Sequence, residues 1–538
     1  VSIDGDVFAR PVKWDAEVRG EVPRIIVAPD EMKGHPGLEK GDRILAALSR
    51  GGGDDYTARV IRRLDTPQGR IVGVVARTGE KFILRPSDKK AKFDFELPRA
   101  DLNGAKEHDI VVAELQPSGG PYNKKVRVLD VIGAKTDPKM ISRISIHEAG
   151  LREEFPRAVV DETKNMVVPP LGAREDLRDI PLVTIDGPDA RDFDDAVWAK
   201  QTDDGFHLIV AIADVAHYVQ PGTAIDDEAY DRGNSTYFPD RVLPMLPEKL
   251  SNDMCSLRPH EDRACMAFHL WIDKEGNLKK HQIVRGLMRS VARLTYEQVQ
   301  AARDGVVDDV TKGLMKDVIG PLYAAYECLW RAREKRGALE LDMPERKVLI
   351  NAAGEMTGVT KRARLDSHKL IEEFMITANV AAALALTEKR APCVFRIHDQ
   401  PDAAKLDNVR EFVKAFGLSF PKGQVTRPAQ LNEILKKAAE LPYGQLISEV
   451  MLRSQMQAHY SPDNIGHFGL ALTHYAHFTS PIRRYSDLLV HRSLIHVYEL
   501  GEGGLAEEER VRLAEMSDHI SQTERLSAEA ERNAIDRF

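Results

Sequence analysis

A dense cluster of carboxylates near the middle of the chain constrains the fold more than any other feature. The stretch VTIDGPDARDFDDAV carries five aspartates within ten residues: Asp186, Asp189, Asp192, Asp194 and Asp195. Removing such charges from water costs several kcal/mol per ion unless cations neutralise them. Apolar residues interleave the acids and tie them to a core: Val183, Ile185, Phe193, Val197 and Trp198. The segment predicts a cation-binding site, and the alternative is a solvated aspartate turn between two strands.

The chemistry of the available ligands narrows the choice of cation. The cluster offers only carboxylate oxygens, which favour Mg²⁺ or Mn²⁺ and argue against zinc. No starting point in the segment gives the spacing of acids, glycine and glutamate that an EF-hand needs, so a calcium loop is excluded. Because Mg²⁺ is usually held by one or two carboxylates, four or more acids indicate two ions, about 3.5 to 4 Å apart, on a phosphodiester.

Composition limits the class of protein. A chain of 538 residues is too long for one core and predicts about three domains. No apolar run approaches the roughly 20 residues of a membrane span. Four scattered cysteines without a CxxC pair indicate free thiols in a reducing cytoplasm and no zinc site. The chain opens without Met or a signal peptide, so we expect residue 1 to be a cut or the edge of an ordered region.

Charge is unevenly distributed along the chain. The first 140 residues hold 25 basic and 22 acidic side chains, and the remainder holds 51 and 62, for a net charge of −8. An acidic body can still bind RNA through a local basic channel, because the local potential decides binding more than the sum of charges does.

The N-terminal quarter contains a duplication. The segments LEKGDRILAAL and YTARVIRRLD return in the same order about 67 residues later as AKEHDIVVAEL and KKVRVLDVIG, which aligns Asp42 with Asp109. Short alternating apolar runs between Gly, Pro and Asp turns predict two tandem all-β barrels. The first covers residues 1–68, with an incomplete start, and the second covers 69–136.

The second barrel offers a candidate nucleic-acid face. Five-stranded OB barrels commonly bind single-stranded nucleic acid through basic and aromatic surfaces. Such a surface is expected here from three aromatic and three basic residues: Phe82, Phe93, Phe95, Lys89, Lys90 and Lys92. The alternative is that the rings belong to the barrel core and the lysines to a solvated turn.

Beyond the barrels the pattern changes to a connector over 137–180 and a large mixed α/β (α+β) domain over 181–538. Apolar runs predict strands over 182–186, 194–200 and 206–213. Apolar spacing near 3.6 residues predicts helices over 295–304, 309–336, 366–388, 402–416, 428–439, 444–458, 481–499 and 506–534.

A second candidate site lies far downstream, in HYAHFTSPIRRYSDLLVHR. Thr479 or Ser480 is placed to cap a helix that begins at Pro481, which would put Arg483 in its first turn. An arginine beside the free N–H groups of a positive helix end predicts a phosphate site. The alternative is a surface ion pair of Arg483 with Asp487, four residues on.

Four further residues are candidates for substrate contact. Tyr237 lies in a proline-interrupted stretch where its ring can stack on a base, and Tyr296 opens a helix and could do the same. Either ring is otherwise a core residue. Glu372 and Glu373 are adjacent on an apolar helix, so at least one must point inward or be paired. His398 is expected to be a structural histidine.

Together these segments resemble a known family. IDGPDARDFDDA, AIADVAHYV, RGNSTYFPDRVLPMLPEKLSNDMCSL, SHKLIEEFMITAN, FRIHDQP and HFTSPIRRYSDLLVHR occur in the order found in the ribonuclease II superfamily, and they most closely resemble its ribonuclease R group in bacteria. The resemblance covers nearly the whole chain. It implies tandem cold-shock-like OB barrels followed by a catalytic RNB domain.

The resemblance also implies an activity. It predicts a processive, hydrolytic 3′-to-5′ exoribonuclease of RNA decay and quality control, which releases 5′-mononucleotides by two-metal-ion catalysis with Mg²⁺, or Mn²⁺ as a substitute. Single-stranded RNA and RNA 3′ overhangs are the expected substrates, DNA is not, and a cytoplasmic monomer without a membrane partner is expected. The family usually continues into a C-terminal S1 barrel that this chain lacks, so RNA affinity and processivity are expected to be weaker.

Residue roles follow from the same resemblance. The family's metal ligands match Asp186, Asp192, Asp194 and Asp195, and its catalytic groups match Asp194, Asp195 and Arg483. Asp189 lies outside the metal set. Expected RNA contacts are Tyr237, Tyr296, one of Glu372 and Glu373, and Glu531. The rival interpretation is a non-catalytic RNA-binding protein built on the same scaffold, which would be expected to lack the acids, and an endonuclease is a weaker third.

Overall fold

A computed structural model gives the structure of most of the chain. The described residues are 7–9, 25–27, 43–50, 56–64, 70–88, 91, 93–116, 124–134, 137, 139–341, 343, 346–351, 354–361, 363–420 and 427–538. The chain divides into two compact units, Val1–Met140 and Ile141–Phe538. The first is built from β-sheets and the second combines a large sheet with helices.

The first unit contains two sheets. Strands β1 (Val7–Ala9), β2 (Ile25–Val27), β3 (Arg43–Arg50) and β4 (Tyr56–Leu64) form one, in the order β1-β2-β4-β3. Strands β5 (Arg70–Thr78), β6 (Lys81–Pro86), β7 (Phe95–Leu97), β8 (Asp109–Leu115) and β9 (Val126–Ala134) form the other, in the order β7-β6-β5-β8-β9. The duplicated segments form equivalent antiparallel pairs, β3 with β4 and β8 with β9. The predicted all-β character is confirmed.

The candidate nucleic-acid face of the second sheet is only partly present. Phe82 and Phe95 pack against a buried core that includes Val75, Leu84 and Val111, as the alternative interpretation held. Phe93 is 68% exposed and remains available to a ligand. The predictions for Lys89, Lys90, Lys92 and Asp42 fall outside the described residues.

A seven-stranded sheet organises the second unit. Its strands are β10 (Glu175–Leu177), β11 (Val183–Asp186), β12 (Asp195–Thr202), β13 (Gly205–Ala213), β16 (Asp262–Asp273), β17 (Leu278–Arg289) and β18 (Ala292–Thr295), in the order β10-β17-β16-β13-β12-β11-β18. Three short pairs lie outside it: β14 (Thr236–Tyr237) with β15 (Val242–Leu243), β19 (Arg346–Ile350) with β20 (Met356–Lys361), and β21 (Phe395–Ile397) with β22 (His459–Ser461). The three predicted strands match β11, β12 and β13 to within two residues.

Helices surround this sheet. They are α1 (Met140–Glu148), α2 (Arg157–Glu162), α3 (Val215–Tyr218), α4 (Ala224–Arg232), α5 (Tyr296–Arg303), α6 (Thr311–Leu314), α7 (Gly320–Arg336), α8 (Asp366–Glu388), α9 (Ala403–Lys414), α10 (Pro428–Ala439), α11 (Gly444–Ser454), α12 (Tyr485–Val497), α13 (Glu507–Val511) and α14 (Leu513–Ile535). Short 3-10 turns span Arg99–Asp101 and Phe468–Leu470, and π-helical turns span Lys249–Met254 and Met315–Ile319. The predicted helix over 309–336 is interrupted by the second π-helical turn.

Helix α8 is the central helix of the unit. Its 23 residues are long and apolar enough to cross a membrane, but 72% of its most apolar stretch is buried inside the protein. It packs against α7, α12 and strands of the large sheet. In the described part of the chain no second helix passes the same test. The composition of α8 is therefore explained by its place in the core, where the four cysteine thiols are also buried and unpaired.

A buried ionic network joins three helices of this unit. Arg492 of α12 is fully buried, and its guanidinium donates to Asp226 Oδ1 at 2.6 Å, to Glu509, and to the carbonyl oxygen of Val219 at 2.8 Å. The Tyr485 hydroxyl donates to the same Asp226 oxygen at 2.8 Å. Two carboxylates and one guanidinium thus share a site from which water is excluded.

We predict that Arg492→Met lowers the free energy of unfolding by about 3 to 5 kcal/mol, because it leaves two buried carboxylates without their cation. Arg157→Met is the matched control, since Arg157 is 93% exposed and lies 3.6 Å from Asp161, and it should change stability by less than about 1 kcal/mol. Urea denaturation followed by circular dichroism measures both. Equal losses in the two variants would contradict this role of the network.

Candidate active site

The acidic segment forms the loop between β11 and β12. Asp186 ends β11, where its Oδ1 accepts the N–H of Gly187 at 2.6 Å, and Asp195 begins β12. Ser256 fixes the loop, because its hydroxyl donates to the Arg191 carbonyl oxygen at 2.7 Å and accepts the N–H of Phe193 at 3.0 Å. The predicted apolar anchors Val183, Ile185, Phe193 and Val197 are all buried. A freely solvated turn is therefore the wrong interpretation of this segment.

The carboxylates of the loop lack sufficient positive charge. Asp194 is 4% exposed, and burial raises its pKa well above the ordinary value, with repulsion from Asp192 and Asp195 adding to the effect. Burial, with repulsion from Asp186, raises the pKa of Asp195 to about 7. Burial also raises the pKa of Asp186. Arg483 lowers all three pKa values, but each stays above its ordinary value, as expected for ligands of an additional cation.

Arg483 reaches this loop from the far end of the sequence. Asp194 Oδ1 accepts the N–H of Ile482 at 2.9 Å, and Asp194 Oδ2 lies 3.7 Å from Arg483 Nε. The Arg483 Nη2 donates to the Ser480 hydroxyl at 3.0 Å, and the side chain stays 44% exposed. Contacts at Nε and Nη2 thus orient the guanidinium, and its exposed part is available to an anion.

The predicted helix start at Pro481 is wrong, because α12 begins at Tyr485. Asp487 Oδ1 accepts the N–H of Ser480 at 2.8 Å, and the Asp487 carboxylate also accepts two hydrogen bonds from Arg484 at 2.9 Å. These bonds hold 480–484 as a turn outside the helix. The alternative pairing of Arg483 with Asp487 is also wrong, since Arg484 takes that place.

Tyr237 and Glu531 lie next to the acidic loop. The Tyr237 hydroxyl donates to Asp192 Oδ2 at 3.3 Å, and the Tyr237 N–H donates to Glu531 Oε1 at 2.6 Å. Burial raises the pKa of Glu531. The segment before Tyr237 also binds the arginine turn, because the N–H of Ser235 donates to the Arg483 carbonyl oxygen at 3.0 Å. The structure thus brings these two candidates together with Asp192 and Arg483.

Tyr296 is placed by the sheet. Asp186 at the end of β11 pairs with Thr295 at the end of β18, and Tyr296 follows as the first residue of α5. Its ring stacks on His368, with ring centroids 4.1 Å apart. Its carbonyl oxygen accepts the Ser367 hydroxyl at 2.8 Å. His368 was not among the predicted site residues, although it lies in the same short segment as the two glutamates.

The two adjacent glutamates of α8 differ in environment. Glu373 is buried and pairs with Arg333 Nη1 at 2.7 Å. Glu372 pairs with Arg364 at 2.7 Å, and its side chain is 36% exposed. Glu372 also lies one helical turn after His368, on the face that carries the stacked ring. The prediction that at least one glutamate points inward or is paired is confirmed, and Glu372 is the one that remains accessible.

Other predicted or neighbouring residues are structural or line the site. His398 is a structural histidine, since its Nδ1 accepts the N–H of Gly469 at 2.9 Å and its Nε2 lies 2.8 Å from the Met456 carbonyl oxygen. Asp189 is exposed on the loop. A cavity of about 200 Å³ beside Arg483 is also lined by Tyr460 and Glu524. These two lining residues carried no sequence signal, because they come from β22 and α14.

The donor set fits a hard divalent cation. The four carboxylates repel one another, and the buried ones gain only partial compensation from Arg483. Across the described ranges no three Asp, Glu, His or Cys side chains form a complete metal-ligand set. Mg²⁺ does not need one, because it keeps several waters and is commonly held by one or two carboxylates together with substrate phosphate. The arrangement therefore suits binding of a cation together with a phosphorylated substrate.

Two protein families match the sequence. The RNB domain matches residues 174–499, and the cold shock domain matches residues 83–156. Together with the sheets described above, these matches confirm the predicted fold class, in which OB-type domains precede an RNB domain.

Curated relatives match over most of the chain. It is 40% identical to ribonuclease R of Vibrio parahaemolyticus over 455 residues, which cover 83% of this chain and 54% of the relative. It is 38% identical to ribonuclease R of Escherichia coli over 525 residues, which cover 92% of this chain and 63% of the relative. The chain thus spans between half and two thirds of the length of these relatives.

Solved structures show the same fold. Mycoplasma genitalium RNase R, in its apo form, aligns with a TM-score of 0.84 at 25% identity, over 100% of this chain and 85% of that chain. The same protein in complex with ribose-methylated single-stranded RNA aligns with a TM-score of 0.83. Yeast Ssd1, a pseudonuclease, has the fold too, with a TM-score of 0.69 at 18% identity over 89% of this chain and 61% of that chain. The fold alone therefore does not decide whether a chain is catalytic.

The different environments of Glu372 and Glu373 predict different losses of stability when each is substituted. Glu373→Gln should lower the free energy of unfolding by about 2 kcal/mol, because buried Arg333 loses the closer and more buried of its two charged partners, the other being Glu372 at 3.4 Å. Glu372→Gln should change stability by less than about 1 kcal/mol, because its ion pair is partly solvated. Thermal denaturation of the two isosteric variants measures the difference. A Glu372 variant as unstable as the Glu373 variant would contradict the assignment of Glu373 as the structural residue.

Proposed function

The chain belongs to the RNB domain family, and from that membership we propose that it is a hydrolytic 3′-to-5′ exoribonuclease that releases 5′-mononucleotides processively. One observation carries the proposal. The Asp194 carboxylate accepts the N–H of Ile482 and lies 3.7 Å from Arg483 Nε, so the acidic loop meets the accessible arginine of the turn beside the cavity of about 200 Å³ that Arg483 lines.

The metal site proposed here consists of Asp186, Asp192, Asp194 and Asp195. Their oxygen donors and uncompensated charge support Mg²⁺, with two ions and Mn²⁺ as a substitute. When bound, such ions supply a nucleophilic hydroxide at neutral pH and neutralise charge on the leaving oxygen. Asp194 and Asp195 are the catalytic acids of this set, and Asp189, exposed on the same loop, has no part in it.

The protein groups around the acidic loop and this cavity act on the RNA. Arg483, oriented by Ser480 and Asp194, donates to the scissile phosphate and stabilises its increasing negative charge. Tyr237 stacks on the 3′-terminal base, while its backbone N–H is held by Glu531. Tyr296 contacts the RNA end. Glu372 accepts the ribose 2′-hydroxyl, which would discriminate RNA from DNA.

The relatives support the choice of substrate. Mycoplasma genitalium RNase R has been solved with single-stranded RNA and with double-stranded RNA. We propose single-stranded RNA and RNA 3′ overhangs as substrates of this chain, without activity on DNA, in cytoplasmic RNA decay and quality control by a monomer. We also propose two OB barrels over 1–68 and 69–136, a connector over 137–180 and the RNB domain over 181–538.

A non-catalytic RNA-binding protein on the same scaffold is the second candidate, and the fold of Ssd1 is the observation behind it. All four acids are present in this chain, and Arg483 Nε lies 3.7 Å from Asp194 Oδ2. Both observations favour the enzyme. A scaffold that only binds RNA would gain nothing from a buried carboxylate cluster that costs several kcal/mol per ion.

The first test separates binding from turnover. We expect Asp194→Asn to bind RNA while losing at least about 1,000-fold in turnover, because it removes a carboxylate that would hold the catalytic cation. Asp189→Asn, on the same loop, should keep wild-type turnover. Filter binding and single-turnover assays on 5′-labelled RNA give the two quantities. Unchanged turnover in the Asp194 variant would refute the proposed role of the loop.

A second test examines the metal and the product. Incubated with 5′-labelled single-stranded RNA and Mg²⁺, the protein should produce a ladder that collapses to one short limit product. EDTA should abolish the ladder, and an excess of Mg²⁺ or Mn²⁺ should restore it. Gel electrophoresis of an RNA with a blocked 3′ end provides the control, since internal fragments from that RNA would indicate an endonuclease.

A further inference from the structure

A second cavity lies beside the acidic loop and is not used by the proposed chemistry. It is an open groove of about 650 Å³, and Ala190, Arg191 and Phe193 of the loop form one of its walls. Successive side chains of an extended segment point to opposite sides. Asp192 and Asp194 contact Tyr237 and Ile482, whereas the two residues that alternate with them, Arg191 and Phe193, line the groove.

The groove carries an excess of positive charge. Arg191, Lys249, Arg258 and Arg293 line it, against a single acidic lining residue, Glu248. Lys249 lies 2.6 Å from Asp253, and Arg258 lies 3.0 Å from Asp253 and 2.7 Å from Glu261, so the charges of these two side chains are partly neutralised.

Two arginines of the groove have no carboxylate within ion-pair distance among the described residues. Arg293 Nη2 donates to the carbonyl oxygens of Gly187 and Pro188, at 3.2 and 2.5 Å, and Arg191 is exposed. Arg293 is half-buried and its charge also lowers the pKa of Asp186, so the exposed Arg191 is the donor best suited to a phosphate.

The shape of the groove suits a nucleotide better than a bare ion. Its volume is within the range of small-molecule sites. Ala190 provides apolar surface, and the Arg293 guanidinium lies 5.5 Å from the centre of the Phe193 ring, which is itself 6% exposed. Flat guanidinium groups stack on bases as well as binding phosphate. A ligand with one dianionic phosphate and one base would use both parts of the groove.

We propose that this groove binds the released nucleoside 5′-monophosphate. The identity of the ligand rests on the proposed function, because hydrolysis at the acidic loop would generate this product on the opposite side of the same segment. Arg191 would bind the phosphate, and Arg293 would stack on the base while it holds the loop. The groove is therefore a product site separate from the position of the RNA 3′ end.

Isothermal titration calorimetry in EDTA tests the proposal, with adenosine 5′-monophosphate, inorganic phosphate and adenosine as probes. We expect the monophosphate to bind saturably, with both other probes at least tenfold weaker. Arg191→Glu should weaken binding of the monophosphate at least tenfold, whereas Arg157→Glu, on exposed α2, should not change it. Unchanged affinity in the Arg191 variant, or inorganic phosphate or adenosine binding as tightly as the nucleotide, would overturn the proposal.

A competition experiment separates the groove from the RNA-binding position. The titration is repeated with a saturating RNA pentamer, after electrophoresis shows that the pentamer stays intact in EDTA. Binding of the monophosphate should persist, and its displacement by the pentamer would overturn the proposal. Because these measurements involve no turnover, a chain that fails to degrade RNA would disprove the proposed function while leaving the result for the groove unaffected.

Discussion

The buried carboxylate of Asp194 is the group on which the rest of the site depends. It accepts the backbone N–H of Ile482, which is 288 positions away in the sequence, and it lies 3.7 Å from Arg483. A buried carboxylate without such partners would cost several kcal/mol. The acidic loop and the arginine turn therefore stabilise each other, and the reactive geometry forms as part of folding.

The scaffold brings the remaining groups to the same place by separate means. Parallel pairing of β11 with β18 sets Tyr296 beside the end of the strand that carries Asp186. The first turns of α8 add His368 and Glu372, and α14 reaches back to the backbone of Tyr237. Rigid elements thus hold groups that would contact a base, a sugar and a phosphate, which is the requirement for positioning a substrate with little loss of entropy.

Local sequence patterns were sufficient for some elements and not for others. Strands β11 to β13 and helix α8 have strong apolar periodicity and were predicted closely. The predicted helix start at Pro481 is wrong, because the contacts of Asp487, Arg484 and the distant Asp194 together outweigh a favourable local helix cap. The π-helical turn Met315–Ile319, which interrupts the helix predicted over 309–336, is not indicated by any comparable pattern in the sequence. The inward glutamate could not be chosen from sequence, since the choice depends on Arg333, 40 positions away, and the stacking of His368 on Tyr296 is equally non-local.

The alternation of side chains along the acidic loop restricts how this segment can change. Asp192 and Asp194 contact Tyr237 and Ile482, Arg191 and Phe193 line the groove, and the two sets alternate at single positions. A substitution alters one side only. Inserting or deleting one residue within 190–194 would change which of these side chains reach each side of the segment, because their alternation depends on the spacing along the chain. The length of this loop is therefore under stronger constraint than the identity of most of its residues.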